Sequence, residues 1–172
     1  STYNFTLSDS DMTITQGGGT ITAQDYSQTL GTHTLSGTLN TRDFSHTAGT
    51  LTASGSSSIN ASGDVVITSA WDNTGSTIAM SGTSKTINAS QAINHLTITG
   101  SISINSSNNL DVNGNFALNS SSFSHNSKNM NVAGTFTLAA STTYTKGGTL
   151  TFDGGAAQNY NDNNTTKQNI GT

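Results

Sequence analysis

Nine aspartates and four histidines are the side chains from which this 172-residue chain could build a metal site or an acid–base pair. It contains neither glutamate nor cysteine. Without thiols there is no zinc thiolate site, no disulfide and no cysteine nucleophile. Asp9 and Asp11, two residues apart, are the close acidic pair and a candidate calcium site. The competing reading is a turn in which an aspartate bonds its own backbone. The glycine-rich calcium repeat of secreted toxins is not matched, since Gly17-Gly18-Gly19-Thr20 lacks the required Asp. His33, His46, His95 and His125 could bind metal or act as bases. His46 and His125, however, fall at matching positions of two similar segments, Phe44-Ser-His46-Thr-Ala-Gly-Thr-Leu51 and Phe123-Ser-His125-Asn-Ser-Lys-Asn-Met130. Equivalence of that kind favours a structural role. No Gly-x-Ser-x-Gly elbow occurs, and no triad order is readable.

A polysaccharide lyase or hydrolase would need converging carboxylates. A twenty-residue register instead stacks Asp111 on Asn131 and Thr151. Thr-x-Thr pairs include those that begin at Thr13, Thr20, Thr32, Thr50, Thr97, Thr135 and Thr149, whose spacings are 7, 12, 18, 47, 38 and 14. An ice-binding array would need one coil length throughout, so these pairs read as β-branched residues on solvent-facing strand positions. Trp71, Phe123 and Tyr144 read as core plugs. The expectation is a chain without catalytic, cofactor or metal residues, and not an enzyme.

The elements that would position these residues follow from periodicity. Leu110-Asp-Val112-Asn-Gly114, Met130-Asn-Val132-Ala-Gly134 and Leu150-Thr-Phe152-Asp-Gly154 recur every twenty residues, with apolar residues at alternate positions. Period-two alternation within a fixed repeat of this length predicts stacked coils of short strands. The fold expected is all-β: a single-stranded β-solenoid, or parallel β-helix, of about eight or nine coils over residues 1–172. At ~4.8 Å per coil the rod would be roughly 40 Å long. A β-sandwich filament subunit joined by strand donation is the alternative, disfavoured by so regular a register. Residues 76–82 align with 148–154, 72 positions on, which suggests modules of approximately 1–93 and 94–172.

Composition agrees. Leu, Ile, Val and Phe supply 31 of 172 residues, fewer than in a typical globule. A net charge of −4 and the absence of proline argue against disorder. The expected inward positions are Leu7, Ile14, Ile21, Leu35, Leu51, Ile67, Ile78, Met80, Leu96, Ile98, Ile102, Ile104, Leu110, Val112, Phe116, Leu118, Met130, Val132, Phe136, Leu138, Leu150 and Phe152. Stacked Asn side chains would bond along the rod. Four Lys and one Arg leave no electrostatic footprint for nucleic acid. No apolar run reaches the ~18 residues of a membrane helix.

The stretches Asn94-His-Leu-Thr-Ile98, Leu110-Asp-Val-Asn-Gly-Asn-Phe116 and Gly148-Thr-Leu-Thr-Phe-Asp-Gly154 resemble bacterial extracellular β-solenoid surface proteins. These are the filamentous-haemagglutinin-type adhesins, autotransporter passengers and giant surface repeat proteins. The resemblance implies a secreted or cell-surface stalk, adhesin or filament subunit, and carries over no catalytic residues.

The chain opens in strand-like sequence at Tyr3, without an initiating Met, and ends on a Gly-Thr dipeptide that elsewhere opens a strand. The reading is therefore a processed or excised segment with uncapped ends. It would polymerise head to tail with itself or continue into flanking segments of a longer chain. The interface expected is Asn4, Phe5 and Leu7 at one end and Gln168, Ile170 and Thr172 at the other, so Ile170→Asp should abolish filaments. Surface glycans are a further candidate partner. Carbohydrate binding or degradation, and ice binding, are the alternative functions.

Overall fold

A computed structural model describes residues 3–104, 108–119 and 121–171. Thr172 and the side chain of Ile104 lie outside the described part. Short runs with β-branched or aromatic residues at alternate positions become strands. Gly- and Asn-containing corners turn the chain between them. Coil one comprises β1 (Phe5–Leu7), β2 (Thr13–Gln16) and β3 (Thr20–Thr22). Coils two and three repeat it with β4 (Asp25–Gln28), β5 (Thr32–Leu35), β6 (Thr38–Thr41), β7 (Asp43–His46), β8 (Thr50–Ala53) and β9 (Ser58–Ala61). Coils four and five hold two strands each: β10 (Val65–Ile67), β11 (Thr77–Met80), β12 (Lys85–Ala89) and β13 (His95–Ile98). Coils six to eight return to three: β14 (Ile102–Ile104), β15 (Leu110–Val112), β16 (Phe116–Leu118), β17 (Ser122–Ser124), β18 (Met130–Val132), β19 (Phe136–Leu138), β20 (Thr143–Thr145), β21 (Leu150–Phe152) and β22 (Tyr160–Asp162).

Every ladder is parallel, and each strand pairs with the equivalent strand one coil away. Sheet one runs β1-β4-β7-β10-β12-β14-β17-β20, and sheet two runs from β3 to β22. Sheet three is split into β2-β5-β8 and β15-β18-β21. Between its halves the third side is carried by single bridges, Thr52 to Asp72 and Ile93 to Val112. The protein is thus a three-sided β-solenoid of about eight turns. The ladders of sheets one and two continue across residues 93–94. Residues 76–82 and 148–154, alike in sequence, sit on different sides: Ile78 pairs with Leu96 in sheet two, Leu150 with Met130 in sheet three.

Alternation places one residue of each pair inside. Leu39, Ile59, Ile78, Leu96, Phe116 and Phe136 form one fully buried column of sheet two. Four expected core positions, Ile14, Ile21, Leu150 and Phe152, are only half-buried because they belong to the first and last coils. Trp71 is also half-buried, its indole N–H donating to the Ala92 carbonyl at 3.1 Å. Phe123 and Tyr144 are core plugs as expected.

Candidate functional site

Three of the four histidines point into the core. His33 lies fully buried between Ile14 and Leu51 in sheet three. Its Nδ1 is 3.0 Å from Tyr26 Oη, and that hydroxyl donates to Gln28 Oε1 at 2.8 Å. The Gln28 amide in turn donates to the carbonyls of Gly31 (3.2 Å) and Thr50 (2.9 Å). Because the Tyr26 proton is committed to Gln28, His33 Nδ1 must carry the proton it shares with Tyr26. Among the described residues its Nε2 has no hydrogen-bond partner. Burial lowers the His33 pKa to about 4, so the ring is neutral at pH 7.

His125 solves a similar corner at the other end. Gly147 N–H donates to Nε2 at 2.9 Å, so Nδ1 carries the proton and donates to the Lys128 carbonyl at 2.6 Å. Tyr144 Oη, 3.0 Å from Nε2, donates to the same lone pair. Protonating this ring would set an N–H against an N–H, and burial depresses its pKa. His46 Nε2 lies 3.3 Å from the Ala70 carbonyl, and burial lowers its pKa too. Gln16, Gln28 and His125 share one device: a polar side chain bonds a carbonyl three residues ahead, inside a corner. Gln16, Tyr26 and Gln28 were missed in the sequence, although the alternation Tyr26-Ser27-Gln28 marks Gln28 as inward. His95 faces outward, its Nδ1 accepting Asn115 N–H at 2.9 Å.

The acids sit on the surface. Asp9 Oδ1 accepts Asp11 N–H at 2.9 Å, which is the turn geometry. Asp9 and Asp11 are not the only close acids, because Asp25 and Asp43 are register partners. Asp43 Oδ1 accepts Asp64 N–H and Asp64 Oδ1 accepts Thr86 N–H, so three carboxylates stand on successive coils. Arg42 forks onto Asp25 at 2.9 and 2.7 Å and reaches Asp43 at 3.3 Å, relieving the repulsion. Asp111 stacks on Asn131 and Thr151 as expected. Desolvation and then Asp153 push its pKa up, and its Oδ1 is buried without a partner. Among the described residues no three His or Asp converge as metal ligands. Threonines do stack over three rungs, Thr13-Thr32-Thr50 and Thr15-Thr34-Thr52, which the uneven spacing had hidden.

Asparagines take part in the ladders. Asn60 Nδ2 donates to Asn40 Oδ1 at 2.9 Å. Asn109 and Asn129 each accept the N–H of the corner residue one coil on.

The two ends differ. At the first coil, β1, β2 and β3 each form a sheet edge without a neighbour among the described residues. Phe5, Ile14 and Ile21 there are half-buried, and Tyr3 is 80% exposed. At the last coil β21 and β22 are likewise edges, with Tyr160 exposed. The edge of β20, however, is covered by the chain itself. Thr142 N–H donates to Asn164 Oδ1 at 3.0 Å, Tyr144 N–H to Gln168 Oε1 at 3.3 Å, and Ile170 packs on the core. Asp162 ties this segment down. Desolvation pushes its pKa upward, but hydrogen bonds from Gln168 N–H, the N–H and side-chain amide of Asn164, and Tyr160 Oη outweigh it and hold the pKa at about 2. Gln168 and Ile170, expected at a subunit interface, are therefore already engaged within the chain, and Ile170→Asp would disturb its own last coil.

Against known protein families, curated proteins and solved structures, the chain finds no match.

Proposed function

We propose that this chain is a non-enzymatic structural or adhesive rod, secreted or displayed at a cell surface. Its coil stack is prolonged by another copy of itself or by further coils of a longer chain. The supporting observation is the first-coil end. Among the described residues three parallel strand edges have no neighbour there, above half-buried Phe5, Ile14 and Ile21. An open edge is a template for a further strand, and a solenoid repeat is completed only by its neighbour. The resemblance to bacterial surface solenoids, adhesins and filament subunits supports the same reading. So does the outward surface of small hydroxyl and amide side chains, which suits a stalk in water and contact with surface glycans.

Light scattering of the full chain against concentration tests the proposal, with Ile21→Lys as the variant. Ile21 lies on the end face, and a lysine ammonium at that position would have to be buried by any coil stacked there. The expected result is concentration-dependent growth that Ile21→Lys abolishes while leaving the circular dichroism unchanged. Growth unaffected by the substitution would refute end pairing. A panel of neutral and acidic glycans tests adhesion separately from assembly, and turnover of any of them would overturn the non-enzymatic reading.

A further inference from the structure

We infer that residues 163–171 form an intramolecular plug on the β20 edge, which the Phe5–Leu7 strand of a second copy must displace for the rod to grow. The inference rests on the end-to-end reading and adds which surfaces meet and what restrains them. In the interior of sheet one, Phe44 N–H points along the rod and donates to the Asp64 carbonyl of the next coil at 2.9 Å. Asp64 immediately precedes Val65, the register partner of Phe44. Tyr144 ends the same sheet on β20, and its N–H points the same way. Among the described residues no strand lies beyond it, and the amide oxygen of Gln168 takes the carbonyl's place at 3.3 Å. Asn164 does the same for Thr142 N–H, and its amide also donates to the Thr142 hydroxyl at 3.1 Å. The plug thus satisfies donors that would otherwise invite a strand. It does so with side chains, and leaves β21 and β22 uncovered.

The occupant follows from ladder continuity. β1 and β20 are the two edges of one parallel sheet, β2 and β21 lie on the third side, and β3 and β22 are the edges of sheet two. Setting a second copy's first coil on the last coil continues all three sides at once. Phe5 of that copy would lie over Tyr144, as it lies over Tyr26 within the chain, with ring centroids 5.4 Å apart. The carbonyl of its Asn4 would then meet Tyr144 N–H, in the position Asp64 holds over Phe44. Its Ile14 and Ile21 would cover half-buried Phe152 and exposed Tyr160. Phe5, Ile14 and Ile21 of one end would thus each face an aromatic side chain of the other.

Sedimentation velocity of the full chain tests this, with hydrogen exchange at the Thr142 and Tyr144 amides as the local readout. Asn164→Ala/Gln168→Ala should speed exchange at those amides and lower the concentration for end-to-end association at least tenfold. Adding Ile21→Lys to that variant should return it to monomer. Gln168→Ala alone should shift association the same way by less, and it covers the case in which the double variant loosens the whole last coil. Thr165→Ala should change nothing. If wild type and the plug variants associate equally while Ile21→Lys still blocks growth, the plug is refuted and end pairing stands. If no variant associates although the amides become exposed, a second copy is not the occupant and the end-to-end reading falls with it.

Discussion

Removing one hydroxyl from Tyr26 and the same hydroxyl from Tyr144 should have unequal consequences. Both rings are buried columns of sheet one, and both hydroxyls bond a histidine at 3.0 Å. Burial pushes both phenols well above their ordinary range, with a further push at Tyr144 from the neighbouring Tyr160. The difference lies in what each hydroxyl leaves behind. Tyr26→Phe strips Gln28 Oε1 of its 2.8 Å donor and His33 Nδ1–H of its acceptor, and neither has another hydrogen bond among the described residues. Two buried polar groups orphaned at ~1–3 kcal/mol each give a loss of about 3–4 kcal/mol. Tyr144→Phe leaves His125 Nε2 still accepting Gly147 N–H at 2.9 Å, so only one bond of a satisfied group disappears. That costs about 1 kcal/mol. Urea unfolding followed by far-ultraviolet circular dichroism, at matched slopes, reads the difference. Equal losses for the two variants would refute the assignment of the His33–Tyr26–Gln28 chain as a closed relay with single partners.

Three further outcomes follow from the same geometry. His33 has an unpartnered Nε2 and sits in register between Ile14 and Leu51, so His33→Leu should cost under about 1 kcal/mol at pH 7. Its folded pKa of about 4 lies below the unfolded value, so wild-type stability is present above pH ~6.5 and falls as pH drops toward 4. Denaturant titrations at pH 5 should therefore find the Leu variant about 2 kcal/mol better placed relative to wild type than at pH 7. A Cβ on Gly147 would stand 0.9 Å from the Asn126 carbonyl oxygen of the coil below. Gly147→Ala should thus cost about 3 kcal/mol, seen as faster hydrogen exchange around Tyr144 with Leu39 unchanged. Asp111→Asn removes a carboxylate disfavoured by desolvation and by Asp153, and continues the column of Asn131. It should raise the thermal midpoint slightly at pH 7, and the gain should vanish once Asp111 is protonated in acid.

The coil register was legible where coil length is constant. Leu110, Met130 and Leu150 pair as their twenty-residue spacing predicts. The first half is harder to read because its corners vary. Sheet-one partners are separated by 21 residues from Phe5 to Tyr26, 18 from Tyr26 to Phe44, 21 from Phe44 to Val65 and 22 from Val65 to Ile87. A solenoid tolerates this, since each coil contacts only its neighbours, but a fixed-period reading then misses what stacks on what. The Asp25–Asp43–Asp64 column and the three-rung threonine ladder were lost for that reason. The resemblance between residues 76–82 and 148–154 does not extend to position, because similar strand sequences serve two different sides. Gln28 and Tyr26 were passed over because a corner needs inward donors for its carbonyls, a demand that hydrophobic patterning does not register. The plug was invisible because residues 163–171, Ile170 apart, offer no apolar side chain and carry no strand alternation; only the reach of Asn164 and Gln168 to β20 gives them meaning.

Cryo-electron microscopy of the purified chain at rising concentration would show whether the first coil is met by another coil stack. End-to-end stacking should give rods that lengthen beyond eight coils, with the ~4.8 Å rung repeat continuing unbroken across each junction. A uniform population of single particles roughly 40 Å long, or rods associated side by side through their faces, would contradict it.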